Sequence, residues 1–244
     1  LQPKTTIFTY QFNSDVMVEN SAKPKTKLLL GFSGSVAAIK CEDILNTFLK
    51  SEKYEIRVVF TEKAKKFQNY EELKKFKEVQ FFDDEMEWNS WQKRGDPVIH
   101  IDLRNWADIF LISPLSANSL AKMANGLADN LLSCIVRAWD FAHLKTEEGK
   151  LVDVEVDTRK YNLLAKPMIV APAMNTFMWD SVFTKKHLAV TRELDIIDVD
   201  TVVKVLMCNQ SGLGAMASPA RLFEVVEQVD SLRLKYQPST TLNQ

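Results

Sequence analysis

Four loops and one histidine in this sequence combine residue types that can do chemistry. Gly31-Phe32-Ser33-Gly34-Ser35-Val36-Ala37-Ala38 places two glycines and two serines directly after a leucine run. Glycine lets a backbone approach a ligand closely, and hydroxyls and amides at a helix start donate to anions such as phosphate. The stretch lacks the P-loop lysine and the full dinucleotide-binding spacing, and a plain helix cap by Ser33 or Ser35 would use the same residues. Ser113-Pro114-Leu115-Ser116-Ala117-Asn118-Ser119 also follows a strand-like run. Its small donors suit the edge or phosphate of a flat heterocycle, or equally a capped turn.

Pro172-Ala173-Met174-Asn175-Thr176-Phe177-Met178-Trp179 sets a lone asparagine among methionines and tryptophan. Methionine and tryptophan usually fill core, whereas a buried asparagine needs partners at both ends of its amide and can hold a carboxylate or amide. Met207-Cys208-Asn209-Gln210-Ser211-Gly212-Leu213-Gly214-Ala215-Met216 carries two of the chain's seven glycines. It reads as a mobile loop able to close over substrate, with Cys208 either a small buried hydrophobe or a proton donor. His100 lies in the alternating stretch Pro97 to Leu103; its ring suits general acid–base work or a hydrogen-bonded core position. Cys41 and Cys134 fall in helical runs and read as core, while His143, His187 and the acidic run 83–87 read as solvated. No triad, paired-carboxylate site or metal-ligand spacing occurs.

These loops need a scaffold. Strand-like runs are expected at 27–31, 56–60, 107–113 and 167–171, with shorter ones at 196–199 and 202–206. Helical patterns cover 36–50, 67–76, 116–128, 131–139, 180–192 and 222–236, and residues 80–97 read as a loop. Strands alternating with helices predict an α/β, doubly wound, mostly parallel sheet. Ligands of such sheets sit at the carboxyl ends of the strands, where these loops fall. Residues 1–26 read as an N-terminal arm, 27–236 as one domain with a charged insertion about 141–165 (a hairpin or a disordered flap), and 237–244 as a polar tail.

Of the 244 residues, 46% are hydrophobic and 26% charged, with a net charge of −1. That gives no basic footprint for nucleic acid or an anionic membrane, and no apolar run spans a bilayer. Three scattered cysteines argue for a reduced, cytoplasmic location. The chain begins at Leu1, which reads as a piece of a longer one; no signal peptide is visible.

Together the motifs resemble the homo-oligomeric flavin-containing cysteine decarboxylases. The resemblance rests on Gly34 to Ala38, His100 to Asp108, Pro114 to Lys122, Asp129 to Leu132, Arg137 to Asp140, Pro172 to Trp179, and Cys208 with Gly212 to Ala217, in the family's order over residues 27–230. It implies a flavodoxin-like (Rossmann-type) subunit in a trimer, with FMN near each boundary. Gly34, Ser35 and Val36 would meet the FMN phosphate; Phe60, Thr61, Ser116, Ala117, Asn118, Ser119 and Ala173 would contact the flavin. Asn175, Met178, Met207 and Met216 would bind substrate, with Asn175 on its carboxylate. His100 from one subunit would act as acid/base, and Cys208 from its neighbour would return a proton. The implied reaction is FMN-dependent oxidation and decarboxylation of 4'-phosphopantothenoylcysteine to an ene-thiol, then reduction to 4'-phosphopantetheine for coenzyme A synthesis. Fungal relatives imply the alternative: a flavin-carrying subunit of a hetero-trimer that inhibits a protein phosphatase. Two features depart from the family: Asn209-Gln210 replaces the usual Gly-Asp after the cysteine, and the insertion is longer than in compact members.

Overall fold

Short apolar runs without alternation suit strands covered on both faces, and the central strands here are of that kind. The computed structural model describes residues 24–205 and 211–237. Its strands are β1 (Thr26–Phe32), β2 (Tyr54–Phe60), β3 (Gln80–Asp83), β4 (Ile109–Leu115), β5 (Asp153–Val156), β6 (Arg159–Asn162), β7 (Met168–Pro172), β8 (Ile197–Asp198), β9 (Val202–Val205) and β10 (Ser211–Ala215). Its helices are α1 (Cys41–Leu49), α2 (Glu62–Lys65), α3 (Tyr70–Leu73), α4 (Asp84–Ser90), α5 (Ile99–Trp106), α6 (Ala117–Ala124), α7 (Leu131–Arg137), α8 (Thr176–Trp179), α9 (Val182–Glu193) and α10 (Pro219–Tyr236).

Six strands form one parallel sheet in the order β3-β2-β1-β4-β7-β8. This is the expected doubly wound sheet. The chain works outward from β1 to one edge and then returns to β4 beside it. Loops leaving β1 and β4 therefore part to opposite faces and open a crevice. Leu28, Leu30 and Phe32 face a core shared with α1 and α10, while Leu29 faces one shared with α5, α6, α7 and α9.

Several segments differ from expectation. Residues 36–50 split into a 3-10 turn, Val36–Lys40, followed by α1. The helix expected over 67–76 is a single turn, α3, which buries Leu73, followed by turns that bury Phe76 and Val79. The acidic stretch expected to be a loop holds β3 and α4; Asp83 caps α4, its carboxylate accepting from Met86 N at 2.9 Å. The alternating stretch around His100 is the first turn of α5: Ile99, Leu103 and Trp106, at helical spacing, join the core, and that spacing outweighs a short alternation. Residues 153–162 form a hairpin, not a loose flap. Asp157 and Thr158 both take positive φ at its turn, the geometry that matches strand twist. Val154, Val156 and Tyr161 bury against the main core. Asp198, nearly fully buried at β8, accepts from Tyr161 Oη at 2.8 Å and from Arg192 through two bonds of 2.7 Å. The expected strand 202–206 stands apart from the sheet, as β9 paired antiparallel with β10. Residues 1–23 of the arm and 238–244 of the tail lie outside the described residues, and Thr26 already belongs to β1.

Candidate functional site

Two loops are bound together where β1 and β4 end. Ser33 is fully buried. Its hydroxyl donates to Pro114 O at 2.9 Å and accepts from Ser116 N at 2.7 Å, so one side chain joins both loops. Ser35 caps the 3-10 turn, accepting from Ala37 N at 3.4 Å. Ser116 caps α6, accepting from Ser119 N at 3.2 Å. From β2, Thr61 N donates to Phe32 O at 3.0 Å, and Thr61 Oγ1 accepts from Ala64 N at 3.3 Å. Gly34 has a steric reason to be glycine: a Cβ there would lie 2.6 Å from Lys63 Cβ.

This edge brings together Gly34, Ser35 and Val36, then Thr61, then Ser116 to Ser119. Ala173 joins it, since its N–H donates to Leu115 O at 2.9 Å. Phe60 departs from its expected flavin contact: its ring is buried and stacks on Phe32, centroids 5.1 Å apart.

The next corner is built by α8 and β10. Asn175 caps α8, its Oδ1 accepting from Phe177 N at 2.9 Å. Met174 N donates to Gly214 O, and Thr176 Oγ1 to Leu213 O, both at 2.9 Å. Gly214 has φ +123°, and a Cβ would fall 2.4 Å from Met174 O; only glycine permits this approach. Met216 is buried, its sulfur accepting from Ser113 Oγ at 3.1 Å, whereas Met178 is half exposed. Met207 and Cys208 lie outside the described residues, on the chain joining β9 to β10.

His100 reaches the carboxyl edge by topology. The strand β3 runs directly into α4, and the first turn of α5 meets α4 through His100 and Glu87, so His100 lies beside the element that leaves the carboxyl end of β3. The His100 Nδ1 is 2.6 Å from Glu87 Oε1, and His100 N donates to Glu87 Oε2 at 3.1 Å. Sequence reasoning missed Glu87 because it read the acidic run as solvated; the signal was Asp83, a capping residue opening a helix four positions earlier. Burial raises the Asp83 carboxyl, but bonds from Lys65 and Met86 N outweigh it and hold Asp83 below the ordinary carboxylate range. Burial pushes the Cys41 and Cys134 thiols up, which does not suit nucleophiles; Cys41 is in the core as expected, whereas Cys134 is only partly buried. A cavity of about 500 Å³ opens on the β2–β3 flank, lined by Arg57, Gln80, Phe82, Met86, Ile99 and Asp102 among others. It borders α5 but includes none of the crevice loops, so it is not where the small donors converge.

A phosphate beside a flat ring fits what converges there: small residues, capped turns and a glycine cradle with no room for a side chain. The Flavoprotein family model matches residues 17–231. The chain belongs to the Flavoprotein family. This Flavoprotein chain is 43% identical, over 210 residues, to phosphopantothenoylcysteine decarboxylase of Arabidopsis thaliana, covering 86% of this chain and 88% of that protein. A cysteine-to-serine mutant of PPC decarboxylase, complexed with pantothenoylaminoethenethiol, superposes with a TM-score of 0.71 at 43% identity, over 84% of this chain and 97% of that one. The FMN binding protein AtHal3 gives 0.68 at 43% identity, over 84% and 96%. The resemblance to flavin-containing decarboxylases read from the motifs is thereby borne out.

Proposed function

We propose that this chain uses FMN to decarboxylate 4'-phosphopantothenoylcysteine, yielding 4'-phosphopantetheine for coenzyme A synthesis. One observation carries this reading: the loops of Ser33 to Ser35, Thr61 and Ser116 to Ser119 converge at one sheet edge, in a chain 43% identical to a decarboxylase. FMN, when bound, supplies an electron sink that the side chains lack. Gly34, Ser35 and Val36 take its phosphate; Thr61, Ser116, Ala117, Asn118, Ser119 and Ala173 border the ring. Asn175 holds the substrate carboxylate, and Met178, Met207 and Met216 line the substrate. His100 moves a proton at its ring in the first half of the reaction, and Cys208 returns one at the end.

The exposed side chains of Phe177, Val182 and Phe183 support assembly into a trimer, with His100 and Asn175 meeting across a subunit boundary. Among the described residues no helix is long and apolar enough to cross a membrane; the cytoplasm is the proposed location. A second reading is favoured by Asn209-Gln210 after Cys208: a flavin-carrying subunit that works in a hetero-trimer or on a protein phosphatase.

The test is to assay the purified chain alone with FMN and phosphorylated substrate, identifying the product as thiol or ene-thiol. A yellow homo-trimer releasing CO2 and the thiol is expected. A flavin-loaded chain without turnover favours the regulatory reading, and failure to take up FMN removes both.

A further inference from the structure

We infer that Glu87 is a positioning residue for His100, fixing which ring nitrogen carries the proton; this rests on His100 being the acid–base residue. Both oxygens of one carboxylate engage one residue, Oε1 at 2.6 Å from His100 Nδ1 and Oε2 accepting from His100 N at 3.1 Å. An ionised carboxylate only accepts hydrogen bonds, so Nδ1 must carry the hydrogen. The lone pair of the neutral ring is then at Nε2. The pair is shielded, with side-chain exposures of 25% for His100 and 13% for Glu87, which strengthens such a bond relative to one in water.

The clamp stands on anchored helices. Asp83 caps α4 and pairs with Lys65 at 2.8 Å. The carboxylate of Asp84 accepts from Leu131 N, at the start of α7, at 2.7 Å. From α5, Leu103 is buried in the core. The two helices that carry Glu87 and His100 are thus held in place, and the His100 ring cannot turn without losing its partner.

The chemical consequence is directional. With Nδ1 occupied, the ring takes a substrate thiol proton at Nε2: the S–H bond breaks, an N–H bond forms, and the electron pair stays on sulfur. The Glu87 carboxylate offsets the positive charge on the ring. Without Glu87, a free neutral imidazole mixes both tautomers, and those with Nε2–H cannot accept a proton there.

The experiment is long-range 1H–15N correlation spectroscopy of the 15N-labelled full chain, at a pH where the rings are neutral. Only three histidines are present, and His100→Gln assigns the signal. We expect the Nδ1–H form in the native chain and a shift towards Nε2–H in Glu87→Ala; Glu87→Gln is no substitute, since its one amide oxygen cannot replace both acceptors that the ring and His100 N use. Turnover should fall at least about tenfold in Glu87→Ala, chiefly in kcat. Finding Nε2–H in the native chain, or an unchanged tautomer in Glu87→Ala, overturns the inference. A tautomer switch in a chain that turns over no substrate upholds the positioning and instead removes the decarboxylase reading.

Discussion

At the β1–β4 edge Ser33, Thr61, Ser116 and Ser119 are all buried and hydrogen-bonded within the chain, whereas around α8 Phe177 is 72% exposed and Phe183 66%. Both regions line the carboxyl end of one sheet. The first is finished: its hydroxyls are spent on fixing two loops, so the crevice keeps its shape before any ligand arrives. The second is anchored by a few bonds from Met174 and Thr176 to β10 and leaves large apolar side chains in water. Clustered apolar surface of this kind marks a site of contact. A single chain thus fixes one part of this edge by its own hydrogen bonds and leaves large apolar side chains exposed at the other.

The largest expected effect attacks the finished half. Gly34→Val puts a branched side chain where even a Cβ lies 2.6 Å from Lys63 Cβ. Overpacking costs about 1–3 kcal/mol, and if it falls on the loop conformation that receives the ligand, FMN uptake weakens roughly 10- to 100-fold. Flavin fluorescence titration measures this; unaltered affinity would mean the edge is not preformed.

An intermediate effect concerns α4, the platform under Glu87. Asp83→Asn exchanges a charged cap for a neutral one and loses the ion pair to Lys65, a cost of about 1 kcal/mol near neutral pH. The folded pKa of Asp83 is depressed. Its stabilisation is therefore complete above the unfolded value of about 4 and is lost as pH falls through the lower folded value. Melting curves of the two proteins should be separated at pH 7 and converge below about pH 4. A gap independent of pH would place the effect of Asp83 elsewhere than its charge.

The smallest effect on the chain itself is expected at the unfinished half. Phe177→Asp alters a side chain that is already in water, so urea unfolding of the dissociated chain should move by less than about 0.5 kcal/mol. Sedimentation should nevertheless show a lighter species. An unchanged mass would separate α8 from assembly and erase the contrast between the two regions.

Much of the sheet was legible because Leu28-Leu29-Leu30 and Ile109 to Ile112 are apolar on both faces, which few elements other than buried parallel strands require. The loops after them stood out by their hydroxyls and glycines, although a capped turn uses the same residue types. What escaped was decided by neighbours. The Phe81-Phe82-Asp83 run looks like loop until β2 supplies hydrogen bonds to it and Arg57 lies over the Phe82 ring at 5.9 Å. Phe60 looks like a ligand contact until Phe32 and Phe81 claim its ring.

By itself the sequence determined that strands alternate with helices and that small donors follow β1 and β4, because period and residue type are local properties. Only the tertiary structure decided that Ser33 of one loop serves Ser116 of the other, and that Glu87 meets His100. Those pairings join residues 83 and 13 positions apart, and a hydrogen bond over such separations exists only once the sheet and its helices have packed.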